Sequence, residues 1–237
     1  MSFGATISIH LNDLFLLAFP NNCTLCSKSL SEGEKDLCFT CIDTLPQTQY
    51  HTVADNPVAQ HFWGRVPLVH AAAYLHIHSQ NITQDLLHLL KYKGKKKLGI
   101  KAGRLYGYQL LESDSLFKDI DMIVPVPLHP RRERERGYNQ CDYFAEGLSQ
   151  VMGIPYYPHA MRRIKENISQ TKKSRYERWE NVEGIFELAE LALVKDKHIL
   201  LVDDVVTTGA TIESCAGALL QADGVRISVA TIATAGR

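Results

Sequence analysis

The segment His198-Ile-Leu-Leu-Val-Asp203-Asp204-Val-Val-Thr207-Thr208-Gly209-Ala210-Thr211 constrains this chain more than any other. Its apolar opening predicts a buried strand over 198–202, with two adjacent carboxylates at the carboxyl end. Hydroxyls and a glycine follow, and a helix is predicted over 209–221. A buried strand that turns directly into a helix is one half of a parallel α/β unit. In such sheets ligands bind beyond the carboxyl ends of the strands. A helix start offers free N–H groups to an anion, and Gly209 would let the backbone approach it. Asp203 and Asp204 repel phosphate but can accept hydrogen bonds from vicinal sugar hydroxyls, or hold a divalent metal. Together the loop reads as a site for a sugar carrying a 5-phosphate.

The same alternation recurs from Val69 onward. Strands are predicted over 69–77, 121–126, 185–188 and 226–233, with helices over 81–92, 100–111 and 138–152. The fold expected is a parallel-sheet α/β domain spanning 69–237. Residues 47–68 carry Pro57, Gly64 and Pro67 and read as a linker. In front of it, Cys23-x2-Cys26-x11-Cys38-x2-Cys41 has the spacing of two knuckles around one tetrahedral structural zinc. With an amphipathic helix over 7–19, it makes residues 1–46 a small zinc module. A closed set of four thiolates leaves no open position for catalysis. Cys141 and Cys215 fall in apolar helical patterns and read as core residues. No apolar run approaches the roughly 18 residues of a membrane-spanning helix.

Lysine plus arginine equals aspartate plus glutamate at 26 each, but the charges are segregated. Most bases crowd into residues 91–104, 130–136 and 162–178. They form either one positive surface that binds an anion or three separate solvated faces. Lys93-Gly-Lys-Lys-Lys97 reads as a flexible basic loop. Residues 162–181 read as a flap over the ligand, a contact for DNA, or a solvated connector. Arg132 and Arg134 read equally as anion contacts or as partners of Glu133 and Glu135. His76 and His78 would share a strand face, where surface or core packing is the simpler reading. There is no Gly-x4-Gly-Lys-Ser/Thr loop, no Gly-x-Ser-x-Gly and no His-Glu-x2-His.

The stretch Ile199–Thr211 resembles the signature of the type I phosphoribosyltransferases, which bind 5-phosphoribosyl-1-pyrophosphate (PRPP). That resemblance implies that Asp203 and Asp204 hold the ribose 2- and 3-hydroxyls. It implies that Thr207, Thr208, Gly209, Ala210 and Thr211 wrap the 5-phosphate. Enzymes that salvage 6-oxopurines usually carry an acid where this chain has Thr207, so its loop is closer to the orotate type. A second strand–turn–helix, Val124-Pro125-Val-Pro127 through Arg136-Gly137-Tyr138-Asn139-Gln140, then corresponds to the pyrophosphate side. Arg136, Gly137, Asn139 and Gln140 belong there, with Lys91 and Lys93 assisting electrostatically.

With the cysteine quartet, Leu90-Lys-Tyr-Lys-Gly94, Arg136-Gly-Tyr-Asn-Gln140 and Gln170-Thr-Lys172, the chain resembles the ComF family. Those proteins are phosphoribosyltransferase-like and linked to natural competence, the uptake of DNA by bacteria. The resemblance implies PRPP with magnesium as ligand, structural zinc, and proteins of the competence machinery as partners. It also implies a cytoplasmic protein acting after DNA enters, at the inner membrane face. Three function classes follow. The first is a phosphoribosyltransferase, active or retired, with an acceptor that no residue identifies. The second, motivated by the basic windows, is a single-stranded DNA-binding accessory protein that uses the phosphate site for regulation. The third is an adaptor acting through the zinc module.

Overall fold

The structure is a computed structural model that describes residues 21–77, 82–112, 114–165 and 184–235. The chain divides into two compact units, Met1–Leu45 and Pro46–Arg237. The helix expected over 7–19 lies outside the described residues, as do His78 and most of 162–181.

Among its described residues the first unit holds one short helix, α1 (Phe39–Asp43), capped at its start by the Cys38 sulfur. The second unit is built on four parallel strands in the order β1 (Ala71–Ile77), β6 (Arg226–Ala235), β5 (His198–Val206) and β2 (Met122–Pro125). Ile199, Leu200, Leu201 and Val202 are all fully buried, so both faces of β5 are covered, as a parallel sheet requires. Two further strands, β3 (Met161–Arg163) and β4 (Phe186–Leu188), form a separate antiparallel pair.

Among the described residues, six helices accompany these strands: α2 (Pro57–Gln60), α3 (Ile82–Tyr92), α4 (Lys96–Leu110), α5 (Pro130–Arg136), α6 (Gln140–Met152) and α8 (Ala210–Leu219). A one-turn α7 (Leu191–Val194) leads into β5. Helices α4 and α6 pack backbone to backbone. A Cβ placed on Gly103 would lie 2.3 Å from the Phe144 carbonyl oxygen, and one on Gly147 would lie 2.2 Å from that of Ile100. Gly99, Gly103 and Gly107 recur every four residues and so form one stripe along α4.

Several expectations change. The stretch read as a linker contributes to the core of the second unit. Val58 and Phe62 are completely buried, and Val66 packs against the same cluster. Asn56 caps α2, accepting from Val58 N and Ala59 N while its amide donates to Val53 O and Ala71 O. The basic loop is shorter than expected, because Lys96 and Lys97 already belong to α4. The turn after β2 contains a helix, α5, started by Pro130 and ended by Gly137 at φ 81°. Strand β5 runs on to Val206, where Val205 and Val206 still pair with β6. The two carboxylates therefore lie inside the strand.

Candidate phosphoribose site

Asp203 and Asp204 are consecutive residues of β5, and a carboxylate oxygen of each lies within 4.8 Å of the other's. The Asp203 side chain accepts from the backbone N–H of Asp204 at 2.8 Å and from the Cys141 thiol at 3.4 Å. Burial pushes its carboxyl up to about 7, helped by the neighbouring Asp204 charge and opposed by these bonds and by Lys91. Asp204 is buried, and one of its oxygens is met from two sides. Lys91 Nζ lies 2.9 Å away, and the Gln140 amide donates to the same atom. The Gln140 carbonyl in turn accepts from Arg136, whose guanidinium lies over the Tyr92 ring at 5.6 Å. Arg136, Gln140, Asp204 and Lys91 thus form one connected polar network across three elements, α3, the α5–α6 junction and β5.

Tyr138 anchors this junction. Its hydroxyl donates to the Leu90 carbonyl, and Lys96 Nζ lies 4.9 Å above its ring. Asn139 makes its bonds within the turn. It caps α6 by accepting from Cys141 N, and its amide donates to Val126 O and Asp142 Oδ1. With those bonds made and the side chain buried, Asn139 holds the turn in shape and has little left to offer a ligand. Gly137 supplies the left-handed residue that ends α5. Lys93 is exposed beyond the end of α3. Arg131 pairs with Glu135 at 3.0 Å on the exposed face of α5, so an internal Arg–Glu pair exists there.

The hydroxyl loop lies between β5 and α8. Thr207 and Thr208 are exposed, Ala210 and Thr211 are half-buried in the first turn, and Gly209 is the N-cap at φ 76°. Gly209 is required on two counts. The left-handed conformation disfavours any side chain, and a Cβ would stand 2.7 Å from the Phe62 ring. Arg65 holds the loop from outside. It donates to the Thr208 carbonyl at 2.8 Å and to His61 O at 3.0 Å, and it pairs with Glu213 in the first turn of α8. Neither Phe62 nor Arg65 emerged from the sequence reading. The spacing of Val58, Phe62 and Val66 at every fourth residue was the available signal of packing in that stretch.

The four cysteine sulfurs lie within 4.8 Å of one another. Cys23 and Cys41 Sγ are 3.7 Å apart, as are Cys26 and Cys38. Sulfurs bonded tetrahedrally to zinc at about 2.3 Å stand about 3.8 Å from each other, so the cluster is compatible with the ion. The Cys38 and Cys41 amides point at sulfur, each at 3.4 Å. Burial pushes the Cys23 thiol up, but the amides around it win and bring it down to about 6, which favours the thiolate that binds metal.

A second group, Cys141, Asp203 and Asp204, also brings its ligand atoms within 4.8 Å. Burial raises the Cys141 thiol well above its ordinary range, so it stays protonated. The two carboxylates suit an oxygen-seeking ion such as magnesium. No helix of the described residues is long and apolar enough to cross a membrane.

The family described as phosphoribosyl transferase domain matches residues 141–237. The DNA utilization protein YhgH of Escherichia coli K12 is 31% identical over 210 residues, covering 87% of each chain. Competence protein F of Haemophilus influenzae is 36% identical over 39% of this chain and 41% of its own. Competence protein ComFC of Bacillus subtilis is 38% identical over 42% of this chain and 38% of its own.

Proposed function

Because this chain belongs to the ComF family, we propose that it binds PRPP with magnesium at the carboxyl end of β5 and serves the handling of incoming DNA. One observation carries the reading. Two carboxylates and a hydroxyl-rich helix start follow each other on one strand, with a chain of cationic and amide groups arriving beside the carboxylates. Ribose hydroxyls would donate to Asp203 and Asp204. The 5-phosphate would take the N–H groups and hydroxyls of Thr207 to Thr211. Lys91 and Arg136 would face the pyrophosphate, where they stabilise negative charge on a leaving group as positive charge develops at ribose C1. Magnesium, bound with the substrate, would neutralise further charge on the pyrophosphate. No described side chain is placed as an acceptor base, so the reading is of a binding site competent for phosphoribosyl transfer. Zinc at Cys23, Cys26, Cys38 and Cys41 would hold the first unit folded.

Calorimetric titration with PRPP and magnesium tests this. Binding in the wild type and its loss in the Asp203→Asn, Asp204→Asn double variant are expected. Absence of binding in the wild type, or equal binding by the double variant, refutes it.

A second reading is favoured by the outer face of α4. Lys97, Lys101, Arg104 and Tyr108 recur at helical spacing on one side, and Tyr108 is 65% exposed. Bases interleaved with an exposed aromatic ring suit single-stranded DNA, whose affinity should fall steeply with salt. Fluorescence anisotropy of a labelled oligonucleotide with the Lys97→Ala, Lys101→Ala, Arg104→Ala variant decides it. Unchanged affinity and salt slope remove this face as the contact.

A further inference from the structure

We infer that Arg65 is a positioning residue for the 5-phosphate loop, and that it acts by fixing the orientation of the Thr208–Gly209 peptide. The inference rests on the phosphoribose reading of the site and adds to it a residue from outside the strand–loop–helix unit.

The guanidinium makes three contacts that no other described residue combines. One nitrogen donates to the Thr208 carbonyl at 2.8 Å and to the His61 carbonyl at 3.0 Å. The other pairs with the Glu213 carboxylate. His61 fixes where the arginine starts, Glu213 fixes the first turn of α8, and Thr208 lies between them in the loop. Across a trans peptide the carbonyl and the following N–H point in opposite directions. With the Thr208 carbonyl turned toward Arg65, the Gly209 N–H is turned away from it. A flipped peptide would instead present a carbonyl oxygen to a phosphate and repel it. At Gly209 such a flip is conformationally cheap, because glycine tolerates both signs of φ. The loop therefore needs an external hold, and the sequence places a planar, permanently charged fork there.

Phe62 provides the second hold. Its ring fills the space beside Gly209 that a Cβ would otherwise occupy, and it is itself completely buried. Phe62 and Arg65 are one helical turn apart, so a single short segment both floors the loop and orients it. Arg65 has one of its nitrogens on two carbonyls and the other on a carboxylate, which leaves it acting through the loop. Its partner chemistry is thus that of a sugar 5-phosphate bound by backbone N–H groups.

The test compares two probes in the full-length zinc-loaded protein. Ribose 5-phosphate reports on the hydroxyl loop, and inorganic pyrophosphate with magnesium reports on the Lys91–Arg136 side. Calorimetry on Arg65→Ala should show roughly ten-fold or greater weakening for ribose 5-phosphate, with pyrophosphate changed by less than about two-fold. Arg65→Lys should recover part of the loss, since an ammonium can reach the Thr208 carbonyl but cannot span it and Glu213 together. Unchanged ribose 5-phosphate affinity in Arg65→Ala overturns the inference while leaving the phosphoribose reading intact. Equal weakening for both probes also overturns it, because that is the signature of general destabilisation. If neither PRPP nor ribose 5-phosphate binds the wild type, the underlying reading fails and the inference with it. Should Arg65→Ala not fold, Glu213→Gln is measured in its place. A selective loss for ribose 5-phosphate is expected there too, and no loss overturns the inference.

Discussion

Asp203→Asn should stabilise this protein, and should do so far more at pH 8 than at pH 5. The Asp203 carboxyl is raised from its ordinary 3.8 to about 7, first by burial and then by the Asp204 charge. A carboxylate raised on folding contributes most when it is protonated in both states. Its contribution is lost as pH climbs from 3.8 through 7, because the unfolded chain gives up the proton before the folded one does. At about 1.4 kcal/mol per pH unit, the ionisation penalty at pH 8 is roughly 4 kcal/mol, against roughly 1.7 kcal/mol at pH 5. Asparagine carries no such penalty. Its oxygen can still accept from Asp204 N and the Cys141 thiol, while its amide adds a pH-independent cost of about 1 kcal/mol if it finds no acceptor. The stability difference between variant and wild type should therefore widen by about 2.5 kcal/mol from pH 5 to pH 8. Urea unfolding at the two pH values, without magnesium, measures it. Parallel pH profiles for the two proteins would refute the reasoning, since they would mean that Asp203 folds at no electrostatic cost.

Other outcomes follow from the same geometry. Lys91→Ala leaves the buried Asp204 without its cation and should cost about 2 kcal/mol at pH 8 by urea unfolding. Gly103→Ala drives a methyl into the Phe144 carbonyl and should destabilise by about 3 kcal/mol. Gly217→Ala, on the open side of α8 with nothing within 4 Å, should instead stabilise by about 0.5–1 kcal/mol; thermal melts of the pair give the contrast. Cys38→Ser should abolish zinc binding measured by elemental analysis, while the urea transition of the second unit survives.

The parts of the fold that could be read from the sequence are those where one residue type has one physical use. The β5 run Ile199–Val202 has no polar atom to place in water, so it had to be a core strand. The cysteine quartet was legible for the same reason, since spacing and residue type both speak for one chemistry, and its four sulfurs do lie within 4.8 Å of one another. An asparagine before a helix serves a cap as readily as a ligand, and the sequence does not show that the bonds of Asn139 are already made within the turn. Helix α5 was hidden by its composition. Its seven residues bury none, so no apolar stripe marked it and only Pro130 and Gly137 framed it. Arg65 and Phe62 were hidden by Pro57, Gly64 and Pro67, which signal turns without revealing what packs between them. The charge of Lys91 is plain in the sequence, whereas its ion pair with Asp204, far along the chain, is not.

The glycine seam between α4 and α6 acts as a fixed spacer. Side chains between helices ordinarily work as adjustable shims, because a rotamer change can let two helices slide or part. Here there is little side chain to rearrange, and main chain meets main chain at Gly103 and Gly147, while Gly99 and Gly107 lie against the Tyr143 and Val151 side chains. Helix α6 carries Gln140 and Cys141 at its start, and α4 begins beside the Tyr138 ring through Lys96. The distance from that corner to Asp203 and Asp204 is thereby set like a stop on a gauge. Whatever enters or leaves the site must be accommodated by the loops that flank this block, at 93–95, 126–129 and 207–209.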